Sequence, residues 1–143
     1  MKQRNIIIYF IAIATILFAG SRLAASQGDL EHNILIHENT ERTYSVHYPK
    51  NKPVETPKPL VFVLHGGNGA DAEKMANRTR MNAIADREDF VVIYPAGIDG
   101  QWNDGRGKTF KRAKDNTDTD DVGFISAVID LFVNNKVADS KRI

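Results

Sequence analysis

The sequence predicts an α/β fold: the amino-terminal part of a sheet in which an antiparallel hairpin is followed by parallel strands alternating with helices. Three observations carry this. Residues 60–64, Leu-Val-Phe-Val-Leu, form an apolar run that stops abruptly at His65-Gly66-Gly67, and residues 90–94 form a second run, stopped by Pro95. Short apolar runs bounded by glycine or proline fit strands covered on both faces, as in parallel sheets packed between helices. Between the two, Ala72, Met75, Ala76, Thr79 and Ala83 recur at helical spacing over residues 71–86. Strand, helix and strand in that order make a crossover unit.

The remaining elements follow from period and punctuation. Residues 42–48 place Tyr44, Val46 and Tyr48 on one face and Thr43, Ser45 and His47 on the other, the alternation of a half-buried strand. An earlier strand at 33–37 pairs with it through a link at residues 38–41. Residues 49–59 carry four prolines and are a loop. A long polar loop covers 96–119. Val122, Ile125, Ile129, Phe132 and Val133 then form a helical stripe, opened by Asp118, Thr119, Asp120 and Asp121, acids suited to a helix N-terminus.

The chain starts differently. Lys2 and Arg4 precede an apolar stretch of fourteen residues, 6–19, and the small residues Ala24, Ala25 and Ser26 follow. A membrane-spanning helix needs roughly 20 apolar residues. Basic, apolar and small-residue regions in this order describe a secretory signal peptide at residues 1–25, cleaved near Ala25 or Ser26. The expected product, residues 26–143, is secreted to an extracellular or periplasmic space, with membrane contact only through the signal segment. An uncleaved anchor is the alternative, with Arg22 beside the apolar run. The chain has no cysteine, which excludes a lipidated amino terminus and any disulfide. Without Lys2, Arg4 and Arg22, sixteen of the nineteen basic residues remain against eighteen acidic ones, so no basic patch points to nucleic acid.

Several motifs invite chemistry. Gly67-Asn68-Gly69-Ala70-Asp71-Ala72 has the G-x-G-x-x-A form of a dinucleotide fingerprint, but the acid that should end the next strand is replaced by Pro95-Ala96. From Asp118 the sequence offers D-x-D-x-V-G, a poor calcium loop with Val122 and Ile129 where oxygen ligands belong. His32, His37 and His47 show no metal-ligand spacing and receive no role. Trp102, the sole tryptophan, is either a wall of a binding site or an apolar anchor for its loop. Asn77-Arg78-Thr79 matches a glycosylation acceptor pattern. The glycines after residue 64 are the strongest signal. Lacking Cβ, they let main-chain N–H groups turn inward, the way acyl-transfer enzymes build an oxyanion hole just after a strand.

Arg42-x-Tyr44, Leu64-His65-Gly66-Gly67, Val91-Val92-Ile93-Tyr94-Pro95-Ala96-Gly97, Trp102-Asn103, Asp120-Asp121-Val122-Gly123-Phe124 and Asp139-Ser140-Lys141-Arg142-Ile143, in that order, resemble the first half of secreted polyhydroxybutyrate-depolymerase-like esterases. That family includes feruloyl and acetylxylan esterases of the α/β-hydrolase fold. The resemblance implies a serine esterase acting on an ester polymer or oligomer, with a catalytic triad and no metal or organic cofactor. It implies Gly67 or Asn68 as main-chain oxyanion donor, His65 and Gly66 as supports of the turn, and Trp102 as a substrate-site wall; Asp120 and Asp121 look structural. The family's nucleophile elbow, G-x-S-x-G, occurs nowhere in these 143 residues, so nucleophile, triad acid and triad base are none of the residues present. The expectation is the amino-terminal half of a secreted carboxylic ester hydrolase, inactive as it stands. A non-catalytic exported binding domain on the same fold is the alternative.

Overall fold

The computed structural model describes residues 30–50, 56–67, 69, 71–105 and 118–143. Strands β1 (Glu31–His37), β2 (Thr40–His47), β3 (Leu60–Phe62) and β4 (Val91–Pro95) form one sheet in the order β1-β2-β4-β3. β2 runs antiparallel to both β1 and β4, while β3 and β4 are parallel. Helices α1 (Ala72–Thr79) and α2 (Met81–Glu88) supply the crossover from β3 to β4, and α3 (Asp121–Asn134) follows the long loop. The predicted hairpin and parallel pair are both present.

β4 shows why the second apolar run forms a strand. All five of its residues are buried, with Val91 and Ile93 packing among Tyr44, Val46, Leu60, Phe124, Val128 and Phe132 on one face. Val92 and Tyr94 point to the other, among Val63, Met75, Ala76 and Ala85. Helices thus cover both faces, and each fully buried aliphatic side chain contributes about 1.5–3 kcal/mol.

Four expectations are corrected. The hairpin link is two residues, Glu38 and Asn39, both left-handed at φ 47° and 60°, the handedness that matches strand twist; Thr40 and Glu41 belong to β2. β2 is not half-buried beyond Thr43, because Ser45 and His47 are covered as well as Tyr44 and Val46. His47 reaches Asp86 of α2 at 2.8 Å, so the second face lies under the crossover helices. The helix expected over 71–86 is two helices. Arg80, at φ 53°, ends α1 and begins α2, and the reversal breaks the helical phase, burying Ala85 and leaving Ala83 exposed.

The fourth correction concerns α3, whose buried stripe is Asp121, Phe124, Val128 and Phe132 while Val122 is 75% exposed. The cause is Arg42. Its guanidinium is buried, lies 4.1 Å above the Phe124 ring and donates from Nη2 to Asp121 Oδ1. A buried cation requires its carboxylate, so α3 turns Asp121 inward and the adjacent Val122 outward.

β3 lies at the sheet edge among the described strands. Its start is covered by the segment after α3, where Lys58 N–H donates to Val137 O, Asp139 N–H to Lys58 O and Leu60 N–H to Arg142 O, each at 2.9 Å. Lys58 and Ala138 form a parallel bridge there.

Because removing one partner leaves the other charge buried, Asp121→Ala should lower unfolding stability by about 3–5 kcal/mol. The double replacement of Arg42 by Met and Asp121 by Leu should lose much less, since neither charge is then stranded. Urea unfolding midpoints followed by Trp102 emission measure both.

Candidate oxyanion turn and its supports

β3 delivers the chain to the surface and then folds one residue back in. Leu64 is 49% exposed, whereas His65 is 5% exposed, and the glycines after it return to solvent. Both ring nitrogens of His65 are engaged. Gly97 N–H donates to Nε2 at 2.9 Å, which requires a lone pair there, and Nδ1 stands 2.7 Å from Gly66 O, which requires a hydrogen. These partners assign the Nδ1–H tautomer. With Nε2 already occupied, this imidazole supports the turn and takes no proton from a substrate.

The contact to Gly66 O has a directional consequence. In a trans peptide C=O and N–H point oppositely, and no described peptide is cis. Since the Gly66 carbonyl faces His65, the N–H of Gly67 is aimed away from it, on an exposed residue. A Cβ on Gly67 would come no nearer to another group than 3.9 Å from Gln101 Oε1. Asn68, the other donor candidate, lies outside the described residues.

Two loops clamp the turn from behind. Gly69, at φ 54°, donates its N–H to Gly100 O at 2.9 Å, and a Cβ there would stand 2.9 Å from Gly100 Cα, so only glycine fits the crossing. Trp102 stacks on His65 with ring centroids 4.7 Å apart and donates from Nε1 to His65 O at 2.9 Å. Of the two readings of Trp102, this geometry displays the anchor. Its neighbour Asn103 donates its backbone N–H to Asp121 Oδ2 at 2.5 Å and its side-chain amide to Thr119 O at 2.9 Å. The turn is therefore tied to the Arg42–Asp121 pair through Asn103, Trp102 and His65. Asp71, next along the chain, caps α1 by accepting from Lys74 N–H at 2.7 Å. Its exposed carboxyl is held below the usual range by the Lys74 side chain and backbone.

A groove of about 440 Å³ lies beside β1, β2 and α1, lined among others by His32, Ser45, Val63, Glu73, Met75 and Tyr94. Neither Gly67 nor Trp102 lines it. Sequence reasoning gave its histidine no role, yet Ser45 Oγ is 2.8 Å from His32 Nδ1, and His32 Nε2 is 3.1 Å from Glu73 Oε1. Hydroxyl, imidazole and carboxylate in a row have the order of a nucleophile, its base and an orienting acid. The array lacks the other requirement of acyl transfer. Ser45 is 6% exposed and pairs with His32 on β1 and Tyr94 on β4, so the strand's backbone groups are committed to two ladders and not to an oxyanion. Nearby, burial pushes the Tyr94 phenol up to about 12, and it donates to Asn82 Oδ1 at 2.6 Å, joining α2 to β4.

Helices on both faces of this mixed sheet match the amino-terminal part of an α/β-hydrolase fold. The profile of the family described as esterase PHB depolymerase matches residues 42–142, and the chain belongs to that family. Solved structures agree on the fold. A protein described as pOPH in its native form aligns with TM-score 0.54 and 18% identity over 87% of this chain and 43% of its own. LpqC, a poly(3-hydroxybutyrate) depolymerase from Bordetella parapertussis, aligns with TM-score 0.51 and 20% identity over 79% of this chain and 40% of its own. A thermostable esterase gives 0.52 and 17% over 80% and 33%. This chain thus spans less than half the length of each. No curated protein sequence matches it significantly.

Gly97 tests the clamp. A Cβ there would lie 2.2 Å from Gln101 O and 3.2 Å from Trp102 Cδ2, main chain and ring that cannot both yield. Gly97→Ala should cost about 1–3 kcal/mol of stability. It should also move Trp102 emission to longer wavelength, as loss of the His65 stack exposes the indole; unchanged emission would contradict the clamp.

Proposed function

We propose that this chain is the oxyanion-bearing, amino-terminal half of a secreted serine hydrolase of carboxylic esters, with polyester or plant cell-wall esters as its substrate class. The observation that carries the reading is the Gly66–Gly67 peptide, oriented by His65 at the end of β3 in a chain of the esterase PHB depolymerase family. In the intact enzyme the acyl carbonyl oxygen would sit against the Gly67 N–H while a serine, activated by a histidine base, attacks the carbon; water then releases the acyl group. Asn68 is the adjacent candidate donor, and Trp102, besides anchoring the loop, would border the substrate. The second oxyanion N–H belongs to the residue after the nucleophile. No metal or organic cofactor enters this chemistry.

With no G-x-S-x-G in the sequence, the oxyanion turn has neither nucleophile nor base to work with. The chain by itself should leave a chromogenic short-chain ester unhydrolysed. Turnover abolished by a serine-directed inhibitor would refute this. In the same preparation the chain should self-associate. Beyond Leu60 no described strand pairs with the outer side of β3, and Val61-Phe62-Val63 offers neither charge nor proline to block pairing. A monomer by sedimentation would contradict that.

Sequencing the gene past the codon for Ile143 distinguishes this reading from a non-catalytic binding domain. A downstream frame encoding G-x-S-x-G supports the hydrolase, and a stop followed by unrelated sequence favours the binding domain.

Export is the last part of the proposal. Residues 1–25 are the signal peptide, and material recovered outside the cytoplasm should begin near Gln27 by amino-terminal sequencing. An intact Met1 in the membrane fraction would mean an anchor.

A further inference from the structure

We propose that the outer edge of β1 pairs with β1 of a second copy of this chain, antiparallel and centred on Ile34, so that one sheet runs through both molecules. β1 is the terminal strand in the sheet order, and its 7-residue register with β2 runs without a bulge. The main-chain directions follow from that register. The hairpin closes at His37 and Thr40, a hydrogen-bonded pair, so Glu31, Asn33, Leu35 and His37 commit their N–H and C=O groups to β2. His32, Ile34 and Ile36 aim theirs at the open edge. Thr43, opposite Ile34, has the matching phase: its carbonyl turns away from β1 and accepts Ala96 N–H at 3.0 Å.

The side chains do not guard this edge. Ile34 and Ile36 are 61% and 64% exposed, and β1 contains no lysine or proline, the residues that commonly blunt an open strand. A second copy is the occupant because the strand is complementary to itself. With Ile34 on the two-fold axis, Ile34 meets Ile34, Ile36 meets His32, Asn33 meets Leu35, and Glu31 meets His37 of the second copy. No like charges then stand directly opposite each other, and an acid faces an imidazole at each end of the seam. Only this register overlaps all of β1. A slip of one residue would set the outward main-chain groups against those already committed to β2. On the face that carries α1, Ile34 and Ile36 of both copies gather into one apolar cluster and leave water.

β3 lies at the opposite end of the sheet order, so this pairing and association through β3 are separate contacts. The pairing takes no part in the proposed ester chemistry and stands whether or not that reading does.

The chain has no cysteine, so one introduced thiol reports only on its own copy in a second molecule. In the full chain, Ile34→Cys should oxidise to a disulfide-linked dimer, because a hydrogen-bonded antiparallel pair sets its Cα atoms about 5.5 Å apart, within disulfide reach. Ile36→Cys, just as exposed, should link at least about ten-fold more slowly, its two thiols lying roughly 14 Å apart along the strands. Adding Ile36→Lys to Ile34→Cys should suppress the link while circular dichroism shows the parent's fold. Equal linking at both positions, or none at position 34, would overturn the proposal. Association through β3 alone leaves position 34 unlinked and so counts against it. Protection of the Ile34 and Ile36 amides from hydrogen exchange without the link would mean that a different segment covers the edge, which also overturns it.

Discussion

Arg42 enters the core as a charge that water cannot reach, with its Nε lacking a hydrogen-bond partner. Such a group is tolerable only where a carboxylate meets it and an aromatic face shields it, and Asp121 and Phe124 do both. Much of the layout follows from this requirement. It sets the rotation of α3 and holds α3 against β2. The second oxygen of Asp121 then remains to accept the Asn103 N–H, so the ion pair also fixes where the loop after β4 lands.

From that landing point the order passes to the glycine turn. Trp102 is placed by Asn103, His65 by Trp102 and Gly97, and the Gly66 carbonyl by His65. Each link is a hydrogen bond or a stacked ring with one defined geometry, so a flexible glycine segment acquires a fixed peptide direction without bulky side chains of its own. That resolves the tension in using glycine at such a site: the freedom that lets N–H groups turn toward a ligand must be removed by neighbours before it can act as a preorganised donor.

The two edges of the sheet differ correspondingly. At β1, charged and imidazole groups meet the start of α3, and the turn is short and fully formed. At β3, aliphatic residues run along an edge whose first part alone is covered, by the segment following α3. β1 thus ends in polar contacts while exposing Ile34 and Ile36 along its length, and β3 has the composition of an interior strand.

The sequence alone determined the α/β class, the hairpin, the crossover unit and the glycine turn, because apolar period and glycine or proline punctuation are local signals of where an element runs. The ordered motifs from Arg42 to Ile143 likewise pointed to the esterase family. Only the tertiary structure decided the rest. The break at Arg80 carries no glycine or proline to announce it, and its left-handed turn arises where two short helices must both pack on β4. The phase of α3 was hidden because counting apolar residues places Val122 inward, whereas a buried guanidinium from β2, 79 residues away, demands Asp121. The histidines stayed silent for the same reason: His32, His37 and His47 acquire acidic partners only when hairpin, crossover and α3 come together. Burial of polar groups is decided by which charges meet in space, and no period along the chain records that.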